Sequence, residues 1–272
     1  MKNWMFNALV IVLAAVFLFS AGMLIYYWTD SSQQAEQYDN LAQLVEQARP
    51  EPMPVDPSDP DTEEPPSMLM VINDPETGEP VQILPEYAQL YTMNNDLVGW
   101  IQIPGTKLNY PVMQTPEAPN YYLKRNFQKK RNGHGCIFAN ELCDIDTADN
   151  ITLYGHHMND GSMFATLSKY KKKSYWEDHP TVIFDTLTKR QQYEIFAVFV
   201  TSASVGKGFR YHTFIDAQTQ AEYDEFVTQC KKLSKYDTGV TPQYGQQLIT
   251  LSTCEYSQTN GRLVVVARLV EE

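Results

Sequence analysis

Residues Leu248 to Leu269 read LITLSTCEYSQTNGRLVVVARL, and the rest of the chain is organised around this stretch. Leu248 to Thr253 alternates apolar and hydroxyl residues, the period-two pattern of a strand with one buried face. Glu255 to Gly261 is polar and ends on Asn260-Gly261, a strong turn pair. Leu263 to Leu269 is β-branched and almost continuously apolar, as in a strand buried on both faces. Antiparallel pairing of the two strands sets Cys254 opposite Arg262 across the hairpin mouth. A thiol beside a fixed guanidinium reads as an activated nucleophile with an oxyanion partner. The same pair also reads as a packed strand cysteine and a surface salt-bridge arginine.

The bulk numbers narrow the class. A chain of 272 residues with 43% hydrophobic content builds one sizeable core plus appendages. A net charge of −12 argues against nucleic acid as a partner, because phosphates need a basic surface. The local exception is Lys124 to Arg131 (KRNFQKKR), which reads as a solvated loop or as a patch drawn to an anionic envelope surface. The four cysteines, Cys136, Cys143, Cys230 and Cys254, form no CxxC pair and no regular framework. The core must therefore rest on burial rather than on disulfides.

The N-terminal region reads as an anchor. Met5 to Trp28 is long and apolar enough to cross about 30 Å of hydrocarbon, with Trp4 and Tyr26 to Trp28 suited to the interfacial belts. A cleaved signal peptide would have a shorter apolar core and a small-residue cleavage site, which this span lacks. Lys2 before the span, and Asp30 and Glu36 after it, favour a cytoplasmic N-terminus and an external body. The expected organisation is a cytoplasmic tip (1–4), a single transmembrane anchor (5–28), a juxtamembrane helix with a Pro/acid-rich stalk (29–67) and an extracytoplasmic catalytic domain (68–272). The helix covers Ser31 to Arg49. The stalk is Arg49 to Ser67, whose prolines and acids prevent a helix or a central strand.

The body starts within Met68 to Pro85, and a short helix is expected over Pro85 to Asn95. Strands are expected at Val98–Ile103, Leu108–Met113, Cys136–Ala139, Ile151–Tyr154, Val182–Phe184 and Tyr193–Thr201. With the hairpin these make about eight strands, a barrel or sandwich pattern. Helices are expected at Ser162–Tyr170 and Asp216–Ser234, the second with Tyr223, Phe226, Val227, Cys230 and Leu233 at helical spacing. On that stripe Cys230 is a packed thiol.

A nucleophilic Cys254 needs a base. Of five histidines, His156 ends a strand, and a thiol–imidazole pair supplies both nucleophile and general acid. Arg262 stays protonated and would donate to a substrate carbonyl or oxyanion.

Several motifs, in order, resemble one family. TLSTC at Thr250–Cys254 with an arginine eight residues on resembles the active-site hairpin of sortases, and YGHHM at Tyr154–Met158 resembles their Gly-His segment. DGSMF at Asp160–Phe164, VGWIQIPGTKLNYPVMQ at Val98–Gln114, NYYLKRNF at Asn120–Phe127 and a helix before the cysteine strand are similar to class B. The resemblance spans about Glu86 to Val270. It implies an eight-stranded sortase β-barrel with peripheral helices behind a transmembrane helix, and a cysteine transpeptidase of the Gram-positive cell envelope. Cys254 then matches the nucleophile, His156 the general acid/base and Arg262 the oxyanion or substrate-orienting residue. His157 competes with His156, the family pattern favouring His156 and turning His157 away or onto the rim. Ser252 shares strand parity with Cys254 and reads as a substrate-binding residue or as an ordinary strand hydroxyl. Asp160 lies near in sequence, but a loop position alone does not aim it at the histidine.

The implied reaction cleaves an LPxTG- or NPxTN-like sorting signal through a thioacyl-enzyme and joins the new C-terminus to a peptidoglycan precursor or cross-bridge amine. The implied partners are sorting-signal-bearing surface proteins, that amine, and the membrane through the N-terminal helix. No metal or organic cofactor is expected. His134, Cys136 and Cys143 offer three ligands without a fourth at zinc spacing, and Cys136–Cys143 is either a disulfide or two thiols. Two alternatives stand beside this reading. One is a pilin-polymerising sortase with a lysine acceptor, although Asp74-Pro75 is followed by Glu76 rather than the aromatic of a class C lid motif. The other is a non-catalytic, membrane-tethered binding module.

Overall fold

The computed structural model describes residues 2–50, 69–204 and 206–270. By internal contacts the chain forms two compact units, residues 1–41 and 42–272. Helix α1 (Lys2–Ala48) runs unbroken from the apolar segment through the polar one, as their lack of internal proline or strong breakers permits. Its N-terminal half exposes Leu13, Phe17, Leu18, Phe19 and Leu24, and none of its most apolar window is buried. An exposed apolar surface of this length makes it a candidate membrane span. The proline- and acid-rich segment expected to form a stalk falls almost wholly at residues 51–68, outside the described residues.

The second unit begins with the end of α1. Arg49 Nη2 lies 3.4 Å from Asp185 Oδ2, and Arg190 Nη2 lies 2.6 Å from the buried Glu86 carboxylate. Strands β1 (Met70–Asn73) and β2 (Pro80–Ile83) form a two-stranded hairpin that no strand pattern anticipated. Asp74 builds its turn by accepting from the Glu76 and Thr77 amides, each at 2.8 Å. Asp74-Pro75-Glu76 is therefore turn, not lid. Helix α2 (Pro85–Met93) follows with proline in its first turn.

The body is a closed barrel of eight strands. They are β3 (Leu97–Gln102), β4 (Asn109–Met113), β5 (Ile137–Ala139), β6 (Asn150–Tyr154), β7 (Thr181–Thr186), β8 (Gln192–Ser202), β9 (Leu248–Glu255) and β10 (Gly261–Leu269). Around the barrel the order is β10-β8-β7-β3-β4-β5-β6-β9, closing on itself. Among the described strands only β4–β5 and β6–β9 pair in parallel.

Three expectations are corrected. Ser162–Tyr170 is a 3-10 helix at Phe164–Lys171, followed by a short α3 (Lys173–Asp178). Phe164, Leu167 and Tyr170 are all fully buried, and their spacing of three is that of a 3-10 turn. Helix α4 (Gln220–Leu233) starts later than Asp216, because Thr219 caps it by accepting from the Glu222 amide. The third correction is to β9, which is buried on both faces rather than one. Phe226, Val227 and Cys230 of α4 pack in one cluster with Leu248, Val264 and Val266. The hydroxyls on the β9 face that carries Leu248 are satisfied inside: Thr250 donates to Asn150 Oδ1 at 2.7 Å.

Candidate active site

The hairpin register is as the sequence pattern requires. Cys254 pairs with Arg262, Ser252 with Val264 and Thr250 with Val266, so the thiol and the guanidinium share one sheet face. Asn260 holds φ at +52° in the connecting turn, a conformation asparagine tolerates. Arg262 is half-buried between β9 and β8, opposite Thr201 on the latter, and its Nη1 donates to the Gly261 carbonyl at 2.9 Å.

Strand β6 brings the histidine. It runs parallel to β9 with Tyr154 level with Ser252. The ladder continues past the strand end: Gly155 N donates to Ser252 O at 3.2 Å, and Thr253 Oγ1 donates to Gly155 O at 2.8 Å. The next residue, His156, is thereby carried to the level of Cys254. Glycine at 155 fits this close packing, since a Cβ there would sit 2.5 Å from Ile137 Cδ1 and 2.7 Å from the Phe164 ring and would push those side chains aside. The His156 Nε2 donates to the Leu123 carbonyl at 2.7 Å. A carbonyl only accepts, so this bond fixes the tautomer and leaves the lone pair of the neutral ring on Nδ1.

A cavity of about 300 Å³ opens over the thiol and the arginine, its wall including Asn120, Leu123, Tyr211, His212 and Ser252. The Ser252 hydroxyl is buried and bonded to Tyr211 Oη at 2.6 Å. Burial lowers the His212 pKa, and the positive charges of Arg210 and Arg262 add to that. Tyr211 and His212 carried no recognisable signal in the sequence, because they come from a loop far from both the hairpin and the Gly-His segment; Asn120 and Leu123 lie in the NYYLKRNF motif, which gave no sign that they line the site.

The four thiols differ sharply. Cys136, Cys143 and Cys230 are buried thiols; Cys143 donates to the Asn150 carbonyl rather than joining Cys136. Burial pushes Cys143 up to about 11 and Cys230 well above the ordinary thiol range. Cys254 alone is partly exposed.

His157 belongs to other company. Its ring meets Tyr256 edge-on at 5.6 Å, and its backbone bridges to Met163. Burial and the nearby Lys171 lower its pKa, while Glu255 opposes them. Glu255 is 6% exposed and accepts from Lys171 Nζ and from Ser257 N and Oγ. Burial alone would raise the Glu255 carboxyl, but these bonds outweigh it and hold it at about 2. Asp160 accepts from His134 Nε2 at 2.8 Å and from Ser162; it tethers a loop and orients His134, not His156.

The same arrangement of strands and motifs recurs in known proteins. The sortase domain family model matches residues 101–270. The chain belongs to the sortase family. It is 34% identical to sortase B of Staphylococcus aureus over 194 residues, covering 70% of this chain and 76% of that one. A solved Staphylococcus aureus sortase B–substrate complex superposes with a TM-score of 0.72 at 28% identity, covering 89% of this chain and 99% of the other. A sortase B solved in complex with triglycine gives 0.69 at 26%, covering 89% and 99%. The sortase described here is of class B, and as such a cysteine transpeptidase.

Proposed function

We propose that this sortase B uses Cys254, His156 and Arg262 to move a sorting signal of a secreted protein onto a peptidoglycan amine. The observation that carries the reading is the cross-strand pair Cys254–Arg262 facing an open cavity, with His156 delivered by the neighbouring parallel strand. The cavity takes an LPxTG- or NPxTN-like segment. The Cys254 thiol gives its proton to His156, and the sulfur attacks the carbonyl carbon of the Thr–Gly bond or its equivalent. Arg262 donates to the oxyanion that forms. The C–N bond breaks, the leaving amine takes the proton from imidazolium, and a thioester remains on Cys254. An acceptor amine then attacks that carbonyl and passes its proton to His156. The C–S bond breaks, and the thiolate recovers the proton.

The acceptor is a peptidoglycan precursor or cross-bridge amine, a reading supported by the triglycine complex of a related sortase B. Ser252 acts at the floor of the cavity, holding Tyr211 against the signal peptide. Helix α1 anchors the chain as a single pass with its N-terminus inside, so that the barrel meets both substrates outside the membrane.

The test incubates the full chain in nonionic micelles with a library of sorting-signal peptides, with and without oligoglycine and diamino-acid amines, followed by mass spectrometry. Signal cleavage, a thioacyl adduct and amine-dependent product are expected. Cys254→Ala should lower turnover by at least about 10³-fold, the usual consequence of losing a nucleophile. Cleavage without transfer to any amine would replace transpeptidation with a protease-like role.

A further inference from the structure

Acyl transfer needs two substrates at one sulfur, and two of the cavities at this end of the barrel adjoin the segment Gly155 to His157. The first holds Cys254 and Arg262. The second, of about 360 Å³, has His157 in its wall and shares no wall residue with the first. Its wall includes Lys107 from the β3–β4 turn, His157 and Met158 from the segment after β6, and Thr166, Ser168 and Lys169 from the 3-10 helix. Gly155 lines the first cavity and His157 the second, so the chain passes from one to the other through His156.

The chemistry of the second cavity runs against the charge of the whole protein. In a chain of net charge −12, its wall contains two lysines and a histidine and no carboxylate. Asp160, in the adjoining loop, is turned to His134 and Ser162. Glu255, near His157, is neutralised by Lys171. Lys107 and Lys169 are both exposed, and Lys169 Nζ rests 5.5 Å over the Tyr175 ring. Such a pocket repels metal cations and takes an oxyanion, with ammonium groups and hydroxyls as donors.

We propose that this pocket is the acceptor's subsite, binding a phosphate or carboxylate carried by the amine substrate through Lys107 and Lys169. The inference rests on the transpeptidase reading above. The sorting signal fills the Cys254–Arg262 cavity, so the amine must reach the thioester carbonyl from another side. Arriving past His157 brings it to His156, the group that has to take its proton. An anion held in the second pocket then sets the distance and angle of that approach.

The test uses the full chain in nonionic micelles with one sorting-signal peptide and three acceptors: triglycine amide, triglycine with its free carboxylate, and triglycine bearing a terminal phosphate monoester. The anionic acceptors are expected to show a KM about five- to ten-fold below the neutral one, the modest gain that exposed lysine contacts supply. In Lys107→Gln/Lys169→Gln the ratio should fall to about one. A lower KM for the phosphate ester assigns a lipid-linked phosphate as the natural group, and a lower KM for the carboxylate assigns a stem-peptide carboxylate; either supports the pocket. Equal KM values in the parent protein, or an unchanged ratio in the variant, overturn it.

A second measurement does not depend on turnover. Inorganic pyrophosphate is titrated into Cys254→Ala protein labelled with ¹⁵N-histidine. A saturable shift of the His157 ring signals is expected, weakened at least about five-fold by the two glutamines. An absent shift overturns the pocket even if transfer proceeds. Failure of the parent protein to cleave any signal instead overturns the transpeptidase reading and leaves this titration to decide the pocket.

Discussion

His156 and His157 are neighbours in sequence with identical side chains, yet they serve opposite flanks of one wall. His156 is tied to the Leu123 carbonyl and stands level with Cys254. His157 lies against Tyr256, beside the Lys171–Glu255 pair, where burial and a cation lower its basicity. Gly155, one residue before His156, lines the cavity with the thiol and the guanidinium, whereas His157 lines the one with lysines and hydroxyls. Consecutive residues at a strand end point to opposite sides, so a single step along the chain separates the proposed acid–base group from a residue that lines the proposed approach. Residue type is therefore a poor guide to role here, and strand parity a good one.

The contrast breaks most visibly by exchanging the histidines' fates. His156→Ala is expected to lower kcat/KM for signal cleavage by about 10³-fold, within the range for loss of a general acid–base. His157→Ala should stay within about ten-fold in the same assay. A reversed order would move the catalytic assignment to His157.

A smaller effect separates charge from geometry on the first flank. Arg262→Lys keeps the positive charge but loses the fork that reaches an oxyanion from beside β9, so kcat should fall about 10²-fold with signal KM changed less. An equal loss in KM and none in kcat would make Arg262 a ground-state binder.

The smallest effect concerns the second flank and is read as stability. Glu255 is held at about 2 in the folded barrel, below its unfolded value near 4.3. A depressed carboxyl stabilises the fold above the unfolded value and loses that contribution as pH falls from about 4.3 toward about 2. The urea midpoint should drop across that window, and Glu255→Gln should flatten the drop while leaving the other carboxylates' share. Parallel curves for the two proteins would show that the Lys171 bond does not hold the carboxyl down.

Much of the fold was legible because barrel strands are short, apolar and bounded by turns. All eight expected strand segments were present, shifted by a residue or two at their ends. The β1–β2 hairpin escaped because Met70 to Asn73 and Pro80 to Ile83 are too short and exposed to give a periodic signal. The burial of both faces of β9 escaped because alternating hydroxyls look like a solvated face. Only the packing of α4 against the β9–β10–β8 surface shows that Thr250 and Ser252 find their partners inside.

The sequence by itself determined the thiol–guanidinium pair and its facing. Hairpin register follows from strand parity and a tight turn, so Cys254 and Arg262 meet whatever surrounds them. It also determined the apolar N-terminal helix, since length and composition alone define a candidate span. Only the tertiary structure decided which histidine stands level with the sulfur, because that depends on a parallel pairing between strands nearly a hundred residues apart. Only it brought Tyr211, His212, Lys107 and Lys169 to the two cavities. Contacts between distant loops are set by barrel closure, and no local pattern of residues encodes them.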